Sequence, residues 1–188
     1  MVILLDPFPT PQTPLHDRLD DLRKAATHDK QARARVEEAD DLDRPWDFAT
    51  LSGQLRQMLW LWCDDVVDWI NRSYAWRPAQ LIPACWPRHP HIAAELPAVA
   101  CQRYSAARAF SADELDRWHR ETLPGFLDRM ADRLGDGCRS GAHADWPAAA
   151  RHDAYRAATD ERRQLYHDEV ASKPETTHLD PARTEEPS

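Results

Sequence analysis

The sequence contains no apolar run that approaches a membrane span, which needs about 20 predominantly apolar residues. The opening Met1-Val2-Ile3-Leu4-Leu5 stops at Asp6 and Pro7, has no basic leader and is too short for a signal h-region. These absences set the expectation of a cytoplasmic protein without a membrane association. Lysine is nearly missing: only Lys24, Lys30 and Lys173 occur, so arginine carries almost all positive charge. With abundant Ala, Asp and Pro, this usage fits the codon bias of a GC-rich genome. The net charge of −8 weighs against a general electrostatic hold on nucleic acid and leaves only a local basic patch as an option. The four cysteines, Cys63, Cys85, Cys101 and Cys138, form no CxxC pair. In a reducing compartment they are expected as free thiols or metal ligands, not disulfides. No GxSxG, P-loop, HExxH or dinucleotide fingerprint is present.

What the chain does have is 188 residues with 42% hydrophobic content, enough for one core. Residues 1–44 hold no Trp and no Cys. A leader spaced by Pro7, Pro9, Pro11 and Pro14 should be extended, because each ring fixes φ and restrains the residue before it. From Asp17 to Leu42 charges of both signs alternate with alanine over a short Leu15, Leu19, Leu22 stripe, the pattern of a solvated helix.

Residues 45–147 hold all eight tryptophans and all four cysteines. Leu51, Leu55, Met58, Leu59, Trp62, Val66, Trp69 and Ile70 fall at helix intervals and predict a helix over 47–74. Pro78, Pro83, Pro87 and Pro90 then predict an irregular crossing from Arg77 to His91. A second helix is predicted over 92–109, kinked at Pro97. A third starts at Ser111-Ala112-Asp113-Glu114, whose spacing matches a capping box, and bends or breaks near Pro124 before Gly135 ends it. Beyond Pro147 a short helix is expected over 148–170. After Lys173 the Thr, Glu, Pro, Ser composition predicts a disordered acidic tail. The fold expected is therefore all-α. It is a small irregular bundle of three to four helices with Pro-rich crossing loops, a charged N-terminal arm over 1–44, and a C-terminal helix and tail over 148–188, both arms flexible.

Three constellations are candidates for chemistry. Asp64-Asp65-Val66-Val67-Asp68 has DDxxD spacing, which puts Asp64 and Asp68 one turn apart with Asp65 beside them. Clustered carboxylates repel unless a cation bridges them, so Mg²⁺ on a phosphate or diphosphate is one reading and a solvated polar face the other. The string Leu59-Trp60-Leu61-Trp62-Cys63-Asp64-Asp65 resembles the lead-in to the aspartate-rich motif of class I terpene synthases. The chain is far shorter than that fold requires, and no second metal-binding motif follows.

Cys85-Trp86-Pro87-Arg88-His89 and Cys138-Arg139-Ser140-Gly141-Ala142-His143 form the second. Each pairs a Cys with a His in a Pro-rich or Gly-rich loop. Two thiolates and two imidazoles would complete a closed tetrahedral Zn²⁺ site of structural type at Cys85, His89, Cys138 and His143. His91, Cys63 and Cys101 are substitutes, and ordinary buried cysteines with satisfied histidines are the bland alternative. The third is the tryptophan set. Trp62, Trp69 and Trp118 sit on apolar stripes, whereas Trp60 points off its stripe and is expected at an interface. Stacking on single-stranded bases would need a basic groove, for which Arg103, Arg108, Arg117, Arg120, Arg129 and Arg133 are available, interleaved with acids.

Taken together, Trp62 to Tyr74, Cys85-Trp86 with His89, Ile92 to Ala107, Trp118-His119, and Cys138 with His143 resemble an uncharacterised actinobacterial Trp-rich domain family often encoded on plasmids and integrative elements. Cys85 precedes Trp86, and the Asp-Pro-His usual near the Trp-x-His element is missing. The resemblance implies a genomic setting and no established activity. The leading expectation is a non-enzymatic accessory or interaction protein of a mobile element, stabilised by structural zinc, with a protein partner or a second copy of itself. The alternatives are a Mg²⁺-dependent enzyme at Asp64, Asp65 and Asp68, and a nucleic-acid-binding module using Trp60 and arginines.

Overall fold

The structure is a computed structural model and describes residues 5–26, 30–38, 43–51, 53–143 and 146–172. The architecture is all-helical, with no strand among the described residues. Two compact units divide at residues 144 and 145. Helices α1 (Leu15–Ala26), α2 (Lys30–Glu38), α3 (Gly53–Ser73), α4 (Pro90–Ala106), α5 (Asp113–Arg117), α6 (Leu123–Arg133) and α7 (Asp136–Arg139) belong to the first; α8 (Ala149–Ala157) and α9 (Thr159–Ser172) belong to the second. Seven of these have nine or more residues, above the three to four expected.

The stripe read from the sequence forms the buried face of α3. Leu59, Trp62, Val66, Trp69 and Ile70 are buried, joined by Cys63 and Val67. This face packs against Ile92, Leu96, Val99 and Tyr104 of α4 and Trp118, Phe126 and Met130 beyond it, all in one core.

The N-terminal segment corrects the expectation of a flexible arm. Leu15 and Leu19 of α1 belong to the main core, with Phe8 packed against it. Buried indole N–H groups need acceptors, and the Trp62 and Trp69 Nε1–H groups donate to the carbonyls of Pro9 and Asp6, each at 3.0 Å. A Pro-spaced extended segment makes no internal ladder, so its carbonyls are free to accept. Phe8 sets its ring edge-on to Trp62 and Trp69, at 6.3 and 5.1 Å between centroids. The Arg103 guanidinium lies over Phe8, Trp69 and Trp118 at 5.2, 5.8 and 5.6 Å, closing this aromatic layer by cation–π contact. Helix α2 buries little: Val36 packs with Leu22 and Ala25 of α1.

Pro90 does not extend the irregular crossing. It is the first residue of α4, where its missing N–H costs nothing. Pro97 lies inside α4, which continues through it. The capping box at Ser111 does not form, because the helix begins one position later, at Asp113, with Ala112 as its cap. The Ser111 hydroxyl instead pairs with Asp113. The break expected near Pro124 is a π turn over Trp118–Thr122, in which the Leu123 N–H donates to the Trp118 carbonyl five residues back. Pro124 cannot donate to the Arg120 carbonyl and would clash with it in a regular α register; the wider turn accommodates both.

In the second unit α8 and α9 replace the single helix expected over 148–170. Neither buries a residue, and Trp146, Tyr155, Leu165, Tyr166 and Val170 are exposed. The acidic tail expected after Lys173 lies outside the described residues.

Candidate metal centre

Each half of the candidate centre is built from a tight local turn. Cys85 and His89 flank a 3-10 turn over Trp86–Arg88, and their side chains meet beside it. The His89 N–H closes that turn on the Trp86 carbonyl at 3.0 Å, and His89 then caps α4. Cys138 sits in the short helix α7, and the loop after it turns at Gly141, whose φ of +86° suits a residue without a Cβ. That turn brings His143 back towards Cys138.

Long-range contacts set the two halves against each other. The Asn71 side chain of α3 donates to the Ile82 carbonyl at 3.0 Å and accepts from the Ile82 N–H at 2.8 Å, fixing the crossing ahead of Cys85. The Trp86 indole is buried and points its Nε1 at Asp64 Oδ1, 3.4 Å away. Glu95 of α4 takes both Arg129 and Arg133 of α6, at 2.7 and 2.9 Å, and so aligns the start of α4 with the end of α6 that leads into α7.

Cys85, His89, Cys138 and His143 converge: one ligand atom from each lies within 4.8 Å of all the others. His89 Nε2 is 3.4 Å from Cys85 Sγ and 3.3 Å from Cys138 Sγ, and Cys138 Sγ is 3.8 Å from His143 Nδ1. Bonds of about 2.3 Å to sulfur and 2.0–2.1 Å to nitrogen on a tetrahedron place ligand atoms roughly 3.3–3.8 Å apart. These three separations fall in that range. Cys138 is buried, Cys85 and His89 are half-buried, and His143 is exposed. Burial, and then the adjacent Cys138, push the Cys85 thiol up; burial, followed by His143 and His91, pulls His89 down. With the protein's own groups alone, these shifts favour the neutral thiol at Cys85 and the neutral imidazole at His89. A bound divalent cation reverses the preference of the sulfur, since thiolates are what it coordinates.

The substitutes named from sequence do not enter the centre. Cys63 and Cys101 are core residues whose thiols burial holds up. His91 lies beside His89, at 5.8 Å between rings, with its Nε2 buried and without a hydrogen-bond partner.

The other two constellations are not assembled into sites. Asp64, Asp65 and Asp68 are all exposed, opposite the buried face of α3. Asp64 faces Trp86, and Asp68 pairs with Arg72 at 3.0 Å, which also holds Asp6 at 2.8 Å. Trp60, expected at an interface, is half-buried. Its ring stacks on Phe48 at 4.0 Å and leans on Trp86 at 5.2 Å. The most exposed indole is that of Trp76, at 92%. The six arginines do not line one groove together. Arg108 and Arg117 line a cavity with Arg23 and Trp118, and Arg108 also covers the Tyr104 ring at 3.6 Å. Arg103 is held in the aromatic layer, Arg120 pairs with Asp116 at 2.7 Å, and Arg129 and Arg133 share Glu95. Asn71, Glu95 and Phe8, which position these groups, carry no local sequence signal, since each acts on a residue far along the chain.

No family model, curated protein or solved structure matches this chain. None of the described helices is long and apolar enough to cross a membrane.

Proposed function

We propose that the protein is a non-catalytic helical interaction module whose first unit is stapled by one structural Zn²⁺ held by Cys85, His89, Cys138 and His143. The observation that carries this reading is the convergence of four soft and borderline ligands from two segments on one point. Two thiolates and two imidazoles suit Zn²⁺ over the harder Mg²⁺ and Ca²⁺. Four protein ligands fill a tetrahedron and leave no open position for substrate, the arrangement of a structural site. The staple joins the turn that precedes α4 to α7 and the loop after it, two stretches without a long helix of their own. Exposed Leu61, Trp76, Leu81 and Phe110 supply apolar surface for a protein partner. The resemblance in the Trp, Cys and His positions supports a setting among the accessory proteins of mobile elements.

Elemental analysis of the purified chain tests the staple directly. One zinc per chain, and a clear fall in melting temperature on chelation, are expected, because binding energy is folding energy in such sites. Metal-free protein that melts identically with and without chelator overturns the reading.

A further inference from the structure

We infer that Cys85 and Cys138 form an oxidisable dithiol, so that a peroxide converts the zinc staple into a disulfide staple and releases the ion. The inference rests on the zinc reading above and adds a modification site and a co-reactant to it. Three observations carry it. The two sulfur atoms lie within 4.8 Å of each other, so side-chain rotation with a small loop adjustment brings them to bonding distance. The cluster sits at the surface: His143 is exposed and Cys85 half-buried, which gives a small oxidant a path to sulfur. The other two thiols are shut away, with Cys63 0% and Cys101 6% exposed, so oxidation is directed to one pair.

The chemistry balances. A thiolate sulfur attacks one peroxide oxygen, the O–O bond breaks, and a sulfenic acid and hydroxide form. The second thiolate displaces hydroxide from that sulfenic sulfur and closes the S–S bond. Two electrons leave the sulfurs and reduce one peroxide; the two hydroxides take up two protons from solvent to give two waters. With both thiolates consumed, only His89 and His143 face the ion, and two imidazoles do not hold Zn²⁺ against solvent as the full set does. The backbone consequence is small by construction, because the disulfide ties together the same two segments that the metal did. What changes is the surface: the imidazole of His143, already exposed, and that of His89 become free.

The test treats the zinc-loaded full chain with hydrogen peroxide near stoichiometry. Released zinc is followed with a chromogenic chelator and the products are mapped by non-reducing peptide mass spectrometry. One zinc released for each two thiols lost, a peptide pair linked through Cys85 and Cys138, and recovery on adding dithiothreitol and zinc are expected. Cys63 and Cys101 should stay reduced and be alkylated only after denaturation, and Cys101→Ser should give the same linked pair. Zinc retained under peroxide, or released with both cysteines found as sulfinate or sulfonate and unlinked, overturns the inference. A chain that takes up no zinc overturns the staple and the release together. A chain that holds zinc but never forms the link overturns the switch and leaves the staple standing.

Discussion

His89 Nε2 stands 3.3 Å from Cys138 Sγ, although 49 positions separate them along the chain. That contact joins a turn preceding α4 to a four-residue helix after α6, and it holds the two Cys/His pairs of the candidate centre together. Neither segment has a long element of its own, so their mutual position depends on this cluster and on the Glu95 pairs beside it.

Two serine substitutions separate a ligand from a packed thiol. Cys138→Ser should abolish zinc retention, since a hydroxyl is a poor zinc ligand, and should lower the melting temperature. For a chain of this size each kcal/mol lost corresponds to about 2–4 °C. Cys101→Ser should keep one zinc per chain and cost only about 1–2 kcal/mol for placing a hydroxyl in an apolar site. Loss of metal in both variants, or in neither, contradicts the assignment; metal content and thermal melts read both.

The aspartate cluster offers the opposite expectation. Asp64→Asn with Asp68→Asn should leave the fold intact. The change removes the exposed Arg72 pair of Asp68, worth about 0.3–0.5 kcal/mol, and relieves repulsion of similar size. An asparagine at position 64 can still accept from Trp86. A Mg²⁺-dependent rise in melting temperature that appears in the parent and vanishes in the double variant would revive the phosphate-enzyme reading.

Docking of the N-terminal segment is measurable by truncating two leucines. Leu15 is fully buried and Leu5 is 88% exposed. Leu15→Ala should cost about 2–4 kcal/mol, the range for leucine truncations in a core, and Leu5→Ala close to nothing. Equal, negligible effects in denaturant titrations would show that α1 does not share the core.

Trp60, expected at an interface, should behave as a packed residue, and Trp76 as an exposed one. Trp60→Ala removes the stack on Phe48 and the contact with Trp86, and a loss of about 2–3 kcal/mol is expected for a half-buried indole. Trp76→Ala should leave stability within about 0.5 kcal/mol, as for other exposed positions. If Trp76 instead proves as costly as Trp60 in the isolated chain, its exposure is wrong. If it is silent there but weakens binding to a partner, the exposed surface has its use.

The sequence by itself determined those features that depend on neighbours a few positions away. The buried face of α3 was legible because period 3.6 is a local property of the chain, and so were the two Cys/His pairs, since four or five residues of tight turn suffice to set each pair side by side. The π turn was half legible: Pro124 announced that a regular helix could not pass, but not that it would widen over Trp118–Thr122 instead of ending. Tertiary structure alone decided the rest. Whether Cys85 meets Cys138 depends on Asn71 clamping Ile82 and on Glu95 holding Arg129 and Arg133, contacts between helices that no periodicity encodes. The Pro-spaced leader read as a free arm because it has few apolar residues of its own. It is docked because Trp62 and Trp69 bury indole N–H groups that need the carbonyls of Pro9 and Asp6, because Phe8, Leu15 and Leu19 add apolar burial, and because proline already restrains the segment that must be ordered.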